Sequence, residues 1–165
     1  MTIIWTHIDD RLVHGQISCK WLQWAKADVC AVVNDDASKN KVAPVVYAMA
    51  MPSNVDLDLI SIDNFAKKVK NGNYGEKRIF IIIKTPEDVL RIIEKGVKLK
   101  QANLGMLTPS PGQKGVVVSP GCWVFPHQVE TYDKLNSLGV KLTVRMVPES
   151  TERDLVNIIN SKVRK

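Results

Sequence analysis

Residues 78–96 read "RIFIIIKTPEDVLRIIEKG", and this stretch decides the fold. Its first half, "RIFIIIK", is an unbroken apolar run of strand length, the pattern of a strand covered on both faces. Its second half is a punctuated helix. Thr85 stands at the N-cap, Pro86 at the first helical position, Glu87 and Asp88 in the first turn, and Gly96 at the stop. A buried strand running straight into a capped helix is half of a βαβ unit.

The same alternation extends in both directions. "TIIWTHI" (2–8), "DVCAVVN" (28–34), "NVDLDLI" (54–60), "QANLGML" (101–107), "VVVS" (116–119) and "VKLTVRMVP" (140–148) read as strands. "GQISCKWLQWAKA" (15–27), "SKNKVAPVVYAMAM" (38–51), "SIDNFAKKVKNG" (61–72), "PHQVETYDKLNSLG" (126–139) and "STERDLVNIINSKV" (150–163) read as helices. Pro44 either opens or kinks the second of these, Ser61 caps the third, and a Ser or Thr caps the last. The pattern predicts one α/β domain over residues 1–165, with an open, mainly parallel sheet and helices on both faces. In such sheets ligands bind beyond the carboxyl ends of the strands, where strand order reverses.

Composition narrows the classes of function. Hydrophobic residues make up 45% of the 165 and charged residues 24%, as in an ordinary globular domain. No apolar run approaches the roughly 18–20 residues that span a bilayer, and the N-terminus has no signal-peptide pattern, so a soluble cytoplasmic protein is expected. Three dispersed cysteines do not form a disulfide framework, and no paired-ligand spacing suggests zinc. The net charge of +6 suits an anionic ligand or partner, but the lysines are scattered and no nucleic-acid motif accompanies them. Neither a Walker sequence nor G-x-G-x-x-G is present, so no nucleotide cofactor is expected.

At the end of the first predicted strand stands "IDDRLVHGQ" (8–16). A lone histidine is more often structural than catalytic, but the setting of His14 favours chemistry. It lies in a strand-to-helix loop beside Gly15 and Gln16, where free amides attract phosphate, and Arg11 offers a guanidinium fork for phosphoryl oxygens. A neutral imidazole nitrogen is a competent nucleophile toward phosphorus. The residues therefore point to a phosphohistidine site. Asp9 and Asp10 are read either as partners of Arg11 and the loop amides, as orienters of the imidazole or of Arg11, or as Mg²⁺ ligands. Asn34, Asp35 and Asp36 leave the second strand; helix capping is favoured for them, with a place in the same crevice as the alternative. Thr108 and Ser110 lie in a surface loop that could also close over His14. His7 is expected at the surface near the strand end, His127 at a helix start, and Trp21 and Trp24 in a core or interface.

The stretch "HIDDRLVHGQISCKW" resembles the N-terminal signature of the IIB components of the mannose/fructose/sorbose family of the bacterial sugar phosphotransferase system. "VVNDDASKN", "RIFIIIKTPEDVLRIIEKGVKLKQANLGML" and "LGVKLTVRMVPES" resemble later family segments in the same order. The resemblance implies an open, mainly parallel α/β sheet and phosphoryl transfer without metal or other cofactor. His14 would take the phosphoryl group from a phosphohistidine on a IIA protein or domain and pass it to a sugar entering through IIC/IID membrane components. That places the protein in the cytoplasm, held peripherally at the inner face of the membrane. Arg11 matches the family's phosphate-stabilising arginine, and Asp9 an acidic residue of its active-site loop. Asp10, Gly15, Gln16, Asn34, Asp35 and Thr108 complete the expected phosphate loop and its surroundings. A homo-oligomer is compatible with this reading. The chain departs from the pattern at His7, commonly arginine in the family, at Met106, and across 106–127. Two rival readings remain: a regulatory or binding protein on the same fold, and a metal-dependent hydrolase using Asp9, Asp10 and His14.

Overall fold

The strand read from "RIFIII" lies third in a seven-stranded sheet with a neighbour on each side. In the computed structural model, which describes residues 1–164, β1 is Thr2–Asp9, β2 Val29–Val33, β3 Asp56–Ile60, β4 Arg78–Ile83 and β5 Gln101–Met106. β6 (Val116–Ser119), β7 (Cys122–Val124), β8 (Lys141–Val144) and β9 (Arg153–Asp154) follow. The sheet order is β3-β2-β4-β1-β5-β8-β9, parallel except for β9, which pairs antiparallel with β8.

Side chains alternate across the sheet and divide the core in two. Val29, Ala31 and Val33 of β2 join Ile79, Ile81 and Ile83 of β4 in one apolar cluster, with Phe65, Val89, Ile92, Tyr132, Leu135 and Leu155 packed over them. Cys30 and Val32 join Phe80 and Ile82 in the other, beneath Ile17, Trp21 and Leu22. Helices α3 (Ile62–Lys70), α4 (Pro86–Glu94), α5 (Val129–Ser137) and α6 (Leu155–Ile158) supply the first set. The helix after β1 supplies the second; it opens at Gly15, passes through a π turn at Ile17–Trp21 and ends as α1 (Leu22–Ala25). Lys26 closes it in a left-handed conformation (φ +50°). β1 thus feeds a helix on one face, while its neighbour β4 feeds α4 on the other, and their outgoing loops part at the carboxyl edge.

Local signals explain the elements that matched. Ser61 Oγ accepts from Asn64 N and caps α3. Thr85 Oγ1 accepts from Asp88 N and caps α4, with Pro86 in its first turn. Three expectations need correction. The predicted helix over 38–51 is two pieces, a 3₁₀ turn at Ala37–Lys39 and α2 (Ala43–Ala50). Asn40 Oδ1 accepts from the amides of Val42 and Ala43, and Pro44 falls in the first turn, so it opens the helix. The last helix is capped by Asp154, not by Ser150 or Thr151, because Arg153 and Asp154 first pair with β8. Finally, 106–127 holds a β6–β7 hairpin whose three-residue second strand is too short to show in the sequence pattern. It hangs from the end of β5, where Leu107 N donates to Gly121 O and Trp123 N to Leu107 O.

Candidate active site

The loop after β1 is built around one buried carboxylate. Asp9 is the last residue of the strand and almost wholly buried. Its Oδ1 accepts from the Arg11 amide (3.0 Å) and from Arg11 Nε (3.1 Å), and its Oδ2 from Arg11 Nη2 (3.1 Å). Oδ2 also lies 2.7 Å from His14 Nε2. A carboxylate only accepts, so Nε2 carries the proton and the lone pair of a neutral His14 ring lies on Nδ1. Burial alone pushes the Asp9 carboxyl up, but the hydrogen bonds from His14 and Arg11 outweigh it and hold it below the usual carboxylate range.

The turn itself is held from beneath. Leu12 N donates to Asp9 O (3.1 Å). Leu12 adopts a left-handed backbone (φ +57°), uncommon for a side chain of its size. Its side chain is buried in the same apolar cluster as Ile17 and Trp21. The His14 carbonyl accepts from the amides of Ile17 and Ser18, so the helix starts just after His14. Gly15 and Gln16 occupy its first positions, where amides have no intrahelical acceptor. Gln16 Oε1 also accepts from Arg11 Nη2 (3.2 Å). Arg11, Gln16 and His14 therefore converge from two turns of one short segment.

Asp10 turns away from this cluster. Its Oδ2 accepts from Thr108 N (2.7 Å) and Thr108 Oγ1 (2.6 Å), tying the loop after β5 to the loop after β1. Asp9 and Asp10 do not share a site, and among the described residues no cluster of three or more His, Cys, Asp or Glu side chains could hold a metal ion. Thr108 and Ser110 line an open cleft of about 490 Å³ beside Asp10 and Arg11. Phe125 and His127, stacked with ring centroids 5.9 Å apart, also line it. Lys84, just past the end of β4, also lines this cleft; sequence reading passed over it, although the carboxyl-edge rule singles out its position.

Asn34 and Asp35 hold the turn after β2. Asn34 Oδ1 accepts from Ala37 N (2.9 Å), capping the 3₁₀ turn. Asp35 accepts from Ile62 N (3.0 Å) and from Arg91 Nη2 (2.8 Å), which locks the end of β2 to α3 and α4. The bond from Ile62 N, with that from Arg91, holds its carboxyl below the usual range. Neither lines the cleft beside Arg11. The expectation for His7 is overturned: it is not at the surface but fully buried, between β4 and β5.

Residues 3–165 match the family model described as "PTS system sorbose subfamily IIB component". The chain belongs to this family. As a sorbose-subfamily IIB component it takes part in the phosphoryl transfer of sugar uptake by the phosphotransferase system. It is 29% identical over 161 residues to the "PTS system fructose-specific EIIB component" of Bacillus subtilis (strain 168), covering 98% of each chain. All of the chain matches half of the "PTS system mannose-specific EIIAB component" of Escherichia coli (strain K12), at 28% identity. The crystal structure of the IIBSor domain of the sorbose permease from Klebsiella pneumoniae superposes with a TM-score of 0.90, at 28% identity over 98% of each chain. The α/β architecture of this IIB component is therefore that of its family. No helix of its described residues is long and apolar enough to cross a membrane.

Proposed function

We propose that His14 is the transient phosphoryl carrier of this IIB component. The observation that carries the reading is the pairing of His14 Nε2 with Asp9 Oδ2 at 2.7 Å, which leaves Nδ1 as the free nucleophilic nitrogen. The Nδ1 lone pair attacks phosphorus of a phosphohistidine on the IIA donor, the new N–P bond forms, and the donor's own N–P bond breaks. Asp9 keeps the tautomer and orients the ring. Arg11, pinned by Asp9 through Nε and Nη2, leaves Nη1 for the phosphoryl oxygens. The amides of Gly15 and Gln16 add donors at a helix start, where charge on those oxygens is favoured.

In the second half-reaction a sugar hydroxyl attacks the same phosphorus, an O–P bond forms, the His14 N–P bond breaks with its electron pair returning to Nδ1, and the hydroxyl proton passes to water. Relatives are named for fructose, mannose and sorbose, so a hexose delivered by IIC/IID membrane components is the proposed acceptor. Docking to those components places the chain at the cytoplasmic face of the membrane.

The experiment supplies phosphoenolpyruvate, the general phosphotransferase proteins and a cognate IIA. The expected product is an acid-labile phosphoryl group on the chain, absent in His14→Ala. Labelling that persists in His14→Ala overturns the assignment. Transfer onward to a hexose with membranes carrying IIC/IID is expected; failure there, with His14 labelled, would favour a regulatory role on the same fold.

A further inference from the structure

Behind the phosphate loop lies a second imidazole that the transfer chemistry does not use. His7 stands on β1, two residues before Asp9, with no exposed surface. Its ring centroid is 4.6 Å from that of Trp21 and 5.9 Å from that of Phe80. Gly105 of β5 makes room for it: a Cβ there would stand 2.1 Å from His7 Nε2. The charged groups around the ring are Asp9 on its own strand, Arg11 and His14 on the loop, and Arg145 just after β8. Nε2 lies 3.9 Å from Asp9 Oδ2, the oxygen that meets His14, and has no hydrogen-bond partner among the described residues.

Asn103 fixes the tautomer. Its Nδ2 donates to the Arg145 carbonyl (2.9 Å), which can only accept, and Thr143 Oγ1 donates to its Oδ1 (3.0 Å). The amide is thus oriented, and its Nδ2 also faces His7 Nδ1 at 3.3 Å. Nδ1 accepts, so a neutral ring carries its proton on Nε2, the nitrogen 3.9 Å from Asp9 Oδ2. Burial keeps the ring neutral, lowering its pKa to about 3 against the pull of Asp9.

We propose that His7 is a positioning residue for phosphoryl transfer: a buried imidazole whose Nε2–H, 3.9 Å from Asp9 Oδ2, weakens that carboxylate's hold on the His14 proton. Through Asp9 it tunes the bond that holds the His14 ring in the tautomer with a bare Nδ1. The role in transfer rests on the reading of His14 as the phosphoryl carrier, but the spectroscopy that tests it needs no transfer.

The test is long-range ¹H–¹⁵N imidazole NMR of the full chain between pH 5 and 9. His7 is expected to show a protonated Nε2 and a bare Nδ1 throughout this window. The opposite His7 tautomer, or titration of His7 in this window, overturns the proposal without any variant. Two substitutions then separate positioning from packing. His7→Gln keeps an N–H near the Nε2 position; His7→Asn keeps a partner for Asn103 but withdraws the donor from Asp9. The His14 Nε2–H resonance, which reports its bond to Asp9, should keep its position in His7→Gln and move downfield in His7→Asn. The rate of phosphoryl acceptance should change with it. Equal His14 resonances in all three chains overturn the proposal. Resonances that move as expected in a chain that takes no phosphoryl group would support the coupling and instead fail the reading of His14 as carrier.

Discussion

Oδ2 of Asp9 meets Nε2 of His14 at 2.7 Å and Nη2 of Arg11 at 3.1 Å, so one buried oxygen orients both the imidazole and the guanidinium. Replacing Asp9 by Asn removes the charge that holds both and puts an amide N–H against donors. Phosphoryl acceptance by Asp9→Asn, followed by rapid quench, should fall on the order of a hundredfold or more. Urea unfolding should show a loss of about 1–3 kcal/mol, since Arg11 and His14 lose a charge-assisted acceptor. A rate within threefold of the parent chain would remove Asp9 from the machinery.

Asp10 acts at a different place. It receives both the amide and the hydroxyl of Thr108, so Asp10→Ala should free the loop after β5 and leave His14 paired. Hydrogen exchange should accelerate across residues 107–113, stability should drop by about 1 kcal/mol, and the His14 Nε2–H resonance should not move. A moved resonance would mean that the two loops are not independent.

Acid should unfold this protein earlier than its carboxylates alone require. The unfolded His7 imidazole titrates near 6.5, and the folded ring only near 3. Between these values the unfolded chain binds a proton that the folded chain refuses, so stability is intact above about pH 6.5 and is lost as pH falls toward 3. The full difference corresponds to an effect on the order of 5 kcal/mol. Urea midpoints measured from pH 7.5 to 4 should fall in the parent chain and fall much less in His7→Gln. Parallel curves would show that His7 takes up its proton while folded.

Gly105 is fixed by the ring above it. Gly105→Ala would drive a methyl group into His7 Nε2 in a part of the sheet with no room to yield. A loss of about 1–3 kcal/mol in urea unfolding is expected. His7→Ala in the same chain should recover part of it, and the absence of any recovery would mean that the methyl clashes with something else.

What the chain discloses in advance depends on how local the cause is. Ser61, Thr85 and Pro86 act within one helical turn, so the starts of α3 and α4 can be read directly. The cluster of Asp9, Arg11 and His14 also lies within six residues, and its convergence follows from one turn. His7 is different: its burial comes from β4, β5 and Trp21, distant in sequence, so nothing beside it marks the ring as internal. Asp35 resembles a crevice carboxylate until α3 and α4 bring Ile62 N and Arg91 to it. β9 is two residues long, too short to show alternation, and so the cap at Asp154 was hidden beside it.

Leu12 gives the turn between Asp9 and His14 a property that glycine would not. Its left-handed backbone costs about 1–2 kcal/mol, offset by a side chain sunk into the apolar cluster beneath Trp21. Glycine would relieve the backbone and release the anchor together, and would widen the choices of the unfolded chain. A turn nailed at its midpoint has little ordering entropy left to lose when another protein lands on it. If His14 is the carrier proposed above, encounters with its phosphodonor can therefore be brief and still productive, since the receiving surface is already shaped when they begin.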